Sequence, residues 1–202
     1  NQDSNESWSV FGAGTYAFTD RLNGRAELRD SDDEKKRHIP KGMPDGSDAR
    51  LKGSWGLLSW RTGLDYHLSD PWMVYGSVAY AEKPGKFDTG KVGVIVNVGP
   101  PAVVQQKLLA VELNPETKLT YEIGAKGTVA DGRLVLATAA YYTDWKDIVM
   151  PRTLVADPET GLPLDRPVGR DENIGSADVW GIDFESSYKI SDIWATNLGV
   201  SY

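Results

Sequence analysis

The sequence predicts an all-β chain: an antiparallel up-and-down meander of about eight strands, part of a transmembrane β-barrel. Three observations carry this reading. Apolar residues recur at every second position, aromatic residues close both ends of the apolar faces, and short turns alternate with long polar stretches.

The expected strands follow in order. Trp8 to Phe18 sets Trp8, Val10, Gly12, Gly14, Tyr16 and Phe18 on one side. Arg21 to Arg29 turns Leu22, Ala26 and Leu28 one way and Arg25, Glu27 and Arg29 the other. Trp55 to Tyr66 sets Leu58, Trp60, Thr62, Leu64 and Tyr66 opposite Ser59, Arg61, Asp65 and, just beyond, His67. Trp72 to Tyr80 carries Trp72, Val74, Val78 and Tyr80 on its apolar side. Leu119 to Val129 opposes Tyr121, Ile123, Ala125 and Val129 to Glu122 and Lys126. Arg133 to Trp145 is apolar on both faces and has the weakest period. Val179 to Tyr188 opposes Trp180, Ile182, Phe184 and Tyr188 to Asp183 and Glu185, with Lys189 following. Trp194 to Tyr202 opposes Trp194, Leu198, Val200 and Tyr202 to Asn197 and Ser201.

The aromatic pairs Trp8/Phe18, Trp72/Tyr80, Trp180/Tyr188 and Trp194/Tyr202 bracket these apolar faces. A bracketed strand, tilted as barrel strands are, rises roughly 20 Å, near the height of a lipid-facing band. The opposite face carries charge, which suits a wet or plugged lumen. Short turns lie at Thr19-Asp20-Arg21, Ser69-Asp70-Pro71, Ala130-Asp131-Gly132 and Ser191-Asp192-Ile193. Asp and Gly favour tight hairpins. Between them lie long stretches at 30–50, 83–118 and 146–174. Short turns on one side and long loops on the other are the habit of bacterial outer-membrane barrels. The alternation puts both chain ends on the long-loop, extracellular side, so the expectation is an internal segment, with residues 1–202 forming a partial barrel domain.

Composition agrees. The 202 residues suffice for one domain, and 21 Gly with 7 Trp and 9 Tyr suit strands and turns. A net charge of -7 argues against a nucleic-acid partner. The absence of cysteine excludes a disulfide scaffold and a thiolate metal site. No apolar run approaches the roughly 20 residues of a membrane helix, which leaves strands as the way across. No signal peptide stands at Asn1.

Four stretches resemble one family in its own order. SVFGAGTYAFTDRLNGRAELRDSDDEKK (9–36) resembles two barrel strands ending in an Arg and acidic-Lys loop. LSWRTGLDYHLSDPWMVYGSVAYAEKPGKFDTG (58–90) resembles the next hairpin, with Lys83, Pro84 and Gly85 followed by Phe87. Residues 113–149 carry a Pro-Glu element (Pro115, Glu116), a Tyr-Glu-x-Gly element (Tyr121 to Gly124) and a Tyr-x-Asp-Trp-x-Asp-Ile element (Tyr142 to Ile148). Gly181, Asp183 and Glu185 resemble a Gly-x-Glu-x-Glu strand, with Asp at its middle position. The chain is similar to the barrel domain of TonB-dependent receptors, nearest the iron-complex type. The resemblance implies an outer-membrane location, a barrel of about 22 strands around an N-terminal plug, a ferric siderophore or similar nutrient chelate as ligand, and TonB as partner. It implies no cofactor and no enzyme activity. Plug, TonB box and closing C-terminal strand are absent from these residues.

Site expectations rest on charge placement. Lys83 and Lys86 beside Phe87, with Lys91 nearby, and Arg152, Arg166 and Arg170 in the third long stretch are candidates to meet an anionic chelate. Arg25, Arg29, Arg61, Glu122, Lys126 and Glu185 are expected to face the lumen and to pair with one another or with the plug. Asp30, Asp32, Asp33 and Glu34 raise a calcium site, with a solvated loop as the default. His38 and His67 lack a partner at ligand spacing. Asp144, Trp145 and Asp147 read as a strand-end motif rather than acid–base machinery, and no nucleophile elbow or phosphate loop occurs. Two rival architectures remain: a complete eight-stranded outer-membrane barrel with a structural or adhesive role, and a soluble lipid-binding barrel with an apolar interior.

Overall fold

A computed structural model describes residues 2–97 and 101–202. Ten strands account for most of it: β1 (Gln2–Ala17), β2 (Leu22–Ile39), β3 (Ala49–Ser69), β4 (Trp72–Lys83), β5 (Phe87–Asn97), β6 (Val103–Glu112), β7 (Glu116–Val129), β8 (Leu134–Ala156), β9 (Pro163–Lys189) and β10 (Ala195–Ser201). Neighbours run β1-β2-β3-β4-β7-β8-β9, with β10 beside β9. Every ladder is antiparallel, and the eight wall strands pair with their neighbours in chain order. Among the described residues β1 pairs only with β2 and β10 only with β9, so the sheet stays open between them.

The expected number of strands is corrected from about eight to ten. The two additions, β5 and β6, form a hairpin inside the stretch 83–118 expected to be a loop. The other long stretches are also largely strand: β2 and β3 pair as far as Ile39 and Ala49, and β8 and β9 as far as Ala156 and Pro163. The reason is physical. Where both faces of a ribbon are wet, no apolar alternation marks it. Polar side chains hold it instead: across the pair Glu34 accepts Lys52 at 2.8 Å and Asp32 accepts the Ser54 hydroxyl at 2.8 Å, and along β2 Glu34 accepts Lys36 at 2.6 Å. β8 has 23 residues. At about 3.3 Å per residue such a strand is roughly 75 Å long, far more than a tilted crossing of a band about 25 Å tall requires.

The short turns are tight, as their residues require. At the β7–β8 turn Asp131 and Gly132 have φ of 53° and 83°, and the Arg133 amide donates to the Ala130 carbonyl at 3.1 Å. Two central residues at positive φ are the mark of a hairpin turn whose twist matches its strands. At the first turn the Thr19 hydroxyl accepts the Leu22 amide at 3.0 Å.

Register sorts the side chains. Leu64 stands opposite Gly24 and Gly76, Ile123 opposite Gly76 and Ala140, and Ile182 opposite Ala140. This apolar face looks away from the sheet into its surroundings: Ile123 is 67% exposed and Trp180 61%. Leu58, Ile182 and Phe184 on this face are exposed and share no core within the sheet. Aromatic rings cover bare backbone on both faces. Tyr75 lies over Gly124 and Tyr141 over Gly181 on the charged face, Trp72 over Gly127 on the apolar one. A Cβ at Gly124 would stand 2.6 Å from the Tyr75 ring and 2.6 Å from the Thr138 carbonyl oxygen. Gly124→Val is expected to cost about 1–3 kcal/mol by forcing Tyr75 off its seat. A lowered urea midpoint for the full-length protein in detergent checks this, and an unchanged midpoint refutes the packing role.

Candidate functional site

The charged face assembles by register. Arg25 stands opposite Gly63, Gly63 opposite Ser77, Ser77 opposite Glu122, and Glu122 opposite Tyr141. Two rows along, Met73 faces Lys126, Lys126 faces Ala137 and Ala137 faces Glu185. Glu27 stands opposite Arg61 and Arg29 opposite Ser59. Arg25, Arg29, Arg61, Glu122, Lys126 and Glu185 thus lie on one face of the sheet. Arg25 Nη2 lies 3.4 Å from Asp65 Oδ1, Arg61 Nη2 donates to Ser77 Oγ at 3.3 Å, and Arg29 Nη2 donates to Ser9 Oγ at 3.2 Å. Lys126 Nζ sits 5.4 Å from the centre of the Tyr75 ring. Nε of Arg25 and of Arg61 is enclosed without a hydrogen-bond partner.

Above this wall the β5–β6 hairpin is wedged between two arms, one made by β2–β3 and one by β8–β9. One face of the hairpin meets the first arm. Phe87 packs on Trp55 at 5.6 Å between ring centres, the Arg37 guanidinium donates to the Phe87 carbonyl at 3.0 Å, and Lys35 Nζ donates to the Gly85 carbonyl at 2.8 Å. The other face meets the second arm. Val92, Val94 and Leu109 form a core with Leu154 and Leu164. Asp88 accepts the Asp171 amide at 2.7 Å, and Lys107 Nζ lies 2.9 Å from Asp157. The kink that starts the hairpin requires Gly85, since a Cβ there would overlap the Leu113 carbonyl oxygen at 1.9 Å.

The candidate ligand contacts separate under this geometry. Lys83 is bound to Glu116 at 2.7 Å, and that buried carboxylate also accepts Trp145 Nε1 at 3.1 Å. Phe87, expected in an exposed loop, is only 8% exposed and belongs to a core with Trp55 and Leu57. Lys86 reaches Asp171 at 2.8 Å. Arg152 and Arg170 stand directly opposite each other and share Glu172, at 2.9 Å and 3.7 Å. Lys86, Arg152 and Arg170 thus gather where the hairpin meets the β8–β9 arm, and Arg166 is exposed.

The other sequence candidates resolve simply. Asp30, Asp32, Asp33 and Glu34 lie along β2 and not in a loop; Asp33 points away from the other three and meets Lys35 at 3.1 Å, while Asp32 is bonded by the Ser54 hydroxyl and Glu34 by Lys36 and Lys52. No group of three or more metal-ligating side chains occurs among the described residues. His38 pairs with Asp48 at 2.8 Å, and the His67 backbone amide donates to the Arg21 carbonyl at 2.8 Å beside the β3–β4 turn. Asp144 pairs with Lys146 at 2.8 Å, Lys118 Nζ caps the Trp145 ring at 3.8 Å, and Asp147 occupies a bulge at φ 56°.

Sequence reasoning missed Trp55, Glu116, Asp157 and Asp171 as site-builders. Only Glu116 carried a signal, through its place in the Pro-Glu element. Asp157 is 1% exposed. Burial opposes its ionised form, but the Thr160 hydroxyl, the Lys107 ammonium and the Glu159 amide bond that form and hold the carboxyl below its ordinary value. A folded pKa below the unfolded one stabilises fully above the unfolded value, near pH 3.8, and loses that contribution as pH falls through the folded value. Amide protection of β5 and β6 is therefore expected to be level from neutral pH down to about 5 and to drop below about pH 4. Asp157→Asn should remove that dependence and cost about 2 kcal/mol of local stability. Hydrogen exchange across the pH series measures both, and a profile equal in the two proteins refutes the assignment.

The whole chain, residues 1–202, matches the family model described as TonB dependent receptor-like, beta-barrel. It is 25% identical over 196 residues to the pesticin receptor of Yersinia pestis and 24% identical over 198 residues to that of Yersinia enterocolitica, covering 96% of this chain in each case. The chain spans only 25% of the length of those curated relatives. Its fold is similar to the crystal structure of the ferric yersiniabactin uptake receptor FyuA from Yersinia pestis. That match has a TM-score of 0.65 at 22% identity and covers 98% of this chain and 27% of that one.

Proposed function

The chain belongs to the TonB-dependent receptor β-barrel family of the bacterial outer membrane, and we propose that it is a segment of wall and mouth in a receptor that imports a ferric siderophore or similar nutrient chelate. The observation that carries this is the division of the sheet. One face is apolar, exposed and bracketed by aromatics, while the other holds Arg25, Arg61, Glu122 and Lys126 in one register. Only a lipid-facing exterior and an enclosed polar interior satisfy both faces at once. The printed names of the relatives, a pesticin receptor and a ferric yersiniabactin uptake receptor, support an iron chelate as the cargo.

In this reading residues 1–202 are a partial barrel domain, and the parent receptor supplies the plug and the remaining strands. Arg25, Arg29, Arg61, Glu122, Lys126 and Glu185 face the interior and meet plug side chains. The enclosed, unbonded Nε atoms of Arg25 and Arg61 support this, because a buried unpaired donor is costly. Lys86, Arg152 and Arg170 are the side chains placed to meet an anionic chelate at the mouth. Lys83 and Phe87 act by holding the hairpin. No catalytic role is assigned, since Asp144 and Trp145 are engaged by Lys146, Lys118 and Glu116. The open sheet and the quarter-length match favour this reading over a complete small barrel.

The test is uptake. Deletion of the parent gene is expected to abolish import of one ferric chelate under iron limitation, and its restoration to return it. Full-length parent protein should also migrate faster unheated than boiled. Unchanged import of every ferric chelate tried would overturn the iron reading and leave the barrel assignment standing.

A further inference from the structure

β6 ends the strand order β9-β5-β6 and pairs only with β5 among the described residues. Its other edge is therefore bare, and the ladder shows which groups lie along it. The Leu113 amide donates to the Lys86 carbonyl at 2.8 Å, on the same register that sets Phe87 opposite Glu112. In an antiparallel pair the residues that exchange bonds alternate with those that do not. Val111, Leu109 and Lys107 thus bond to β5, while the N–H and C=O groups of Ala110, Leu108, Gln106 and Val104 point away from it. No strand stands across from them among the described residues. Natural edge strands are guarded by charge, proline, bulges or a covering element. From Val104 to Glu112 the ladder has no bulge, and β6 has no proline. Its one charge before Glu112 is Lys107, which Asp157 and Glu159 hold against the second arm. At its tip Val103 is 49% exposed and Val104 44%.

We infer that the bare edge of β6 is an interaction surface, completed by an extended segment from another extracellular loop of the same receptor. A strand added opposite Val104 to Ala110 is roughly 20 Å long and satisfies the outward amides and carbonyls by main-chain pairing. Position selects this occupant. Trp55 and Leu57, on which Phe87 packs, continue without a register shift the alternation of Ser59 and Arg61. The hairpin therefore lies on the charged, interior side of the sheet, out of reach of a second copy that meets this one through its lipid-facing exterior. The chain spans 25% of the length of its curated relatives, so in a parent of that length most of the loops around the same mouth lie outside residues 1–202. A loop tethered to the same barrel meets the edge at the millimolar effective concentration of a short link, an advantage that a free peptide lacks. The inference rests on the barrel reading of the sheet and is independent of which chelate the receptor carries.

Residue-resolved hydrogen exchange of the full-length receptor in detergent, without chelate, tests it. The amides of Val104, Gln106, Leu108 and Ala110 are expected to exchange at least about tenfold more slowly than exposed loop amides, at a rate independent of receptor concentration. Free exchange at these positions while Lys107 and Leu109 stay protected overturns the inference. So does protection that rises with receptor concentration, which marks a second copy, or protection that appears only with an added chelate or peptide. Gln106→Pro then locates the partner. The Gln106 amide does not serve β5, so proline removes an outward donor and leaves that ladder in place. Protection is expected to fall at Val104 and Leu108 and in one segment outside residues 1–202, with Gln106→Ala unchanged. A loss confined to the hairpin, or an equal loss in Gln106→Ala, overturns the surface. If Lys107 and Leu109 also lose protection, the proline has melted the hairpin, and the wild-type pattern decides. Heat-modifiable migration of the parent tests the barrel reading separately, so the surface can fail while the barrel stands.

Discussion

Ile123→Arg is expected to destabilise the full-length receptor by about 2–4 kcal/mol, the cost of a guanidinium near the midplane of the bilayer on a barrel exterior. Ile123 stands opposite Gly76, midway between the aromatic brackets Trp72 and Tyr80, and is 67% exposed on the apolar face. The contrasting variant is Ala137→Arg, between Lys126 and Glu185 on the other face. There a cation gains a carboxylate directly across the strand pair, and the expected change is within about 1 kcal/mol. Urea unfolding in lipid vesicles, followed by the mobility shift on heating, reads both. The order of the two variants separates the apolar face from the charged one, and the need for lipid or detergent decides which faces outward. An apolar interior would keep that order, but the wild-type protein would then fold and stay soluble in plain buffer, and that result would overturn the orientation.

What the residues disclosed depended on where lipid presses on them. Inside the band, one face meets hydrocarbon and the other meets the interior, so Trp72, Val74, Val78 and Tyr80 alternate visibly with Tyr75, Ser77 and Ala79. Seven of the eight wall strands were legible for that reason, the lower half of β8 only weakly because both its faces are apolar; the tight turns were legible because Asp131 and Gly132 carry the backbone demand in their own chemistry. Above the band the constraint vanishes. The upper half of β2 reads Asp30 to His38 as a polar run, yet it pairs residue for residue with β3 through Arg50. The β5–β6 hairpin was illegible for a further reason. Val92 and Val94 face a core contributed by Leu154 and Leu164, some sixty residues away in sequence. Site residues divided the same way. That Arg25, Arg61, Glu122 and Lys126 lie opposite the apolar face followed from period two alone. The fate of Lys83 and Phe87 followed from Glu116 and Trp55, which no local pattern could bring beside them.

Phe87→Ala is expected to cost about 3–5 kcal/mol, the usual penalty for emptying an aromatic side chain from a packed core, and to release the hairpin from the β2–β3 arm. Phe87 is 8% exposed, packs on Trp55 and Leu57, and follows a glycine whose Cβ has no room beside the Leu113 carbonyl. The ring therefore fixes where the hairpin begins. Its loss leaves the Arg37 and Lys35 bonds to the Phe87 and Gly85 carbonyls exposed to water, where each is worth about 1 kcal/mol or less. Hydrogen exchange should show protection lost across β5 and β6 while β7 and the lower half of β8 keep theirs. Phe87→Leu separates packing from recognition. A branched aliphatic side chain refills most of the space, so protection should return and chelate import with it. If Phe87→Leu restores protection but import stays lost, the aromatic ring itself touches the ligand, and the assignment of Phe87 to packing alone fails. If Phe87→Ala leaves protection of the hairpin intact, the wedge between the two arms is held by its ion pairs and by the Val92–Leu164 core instead.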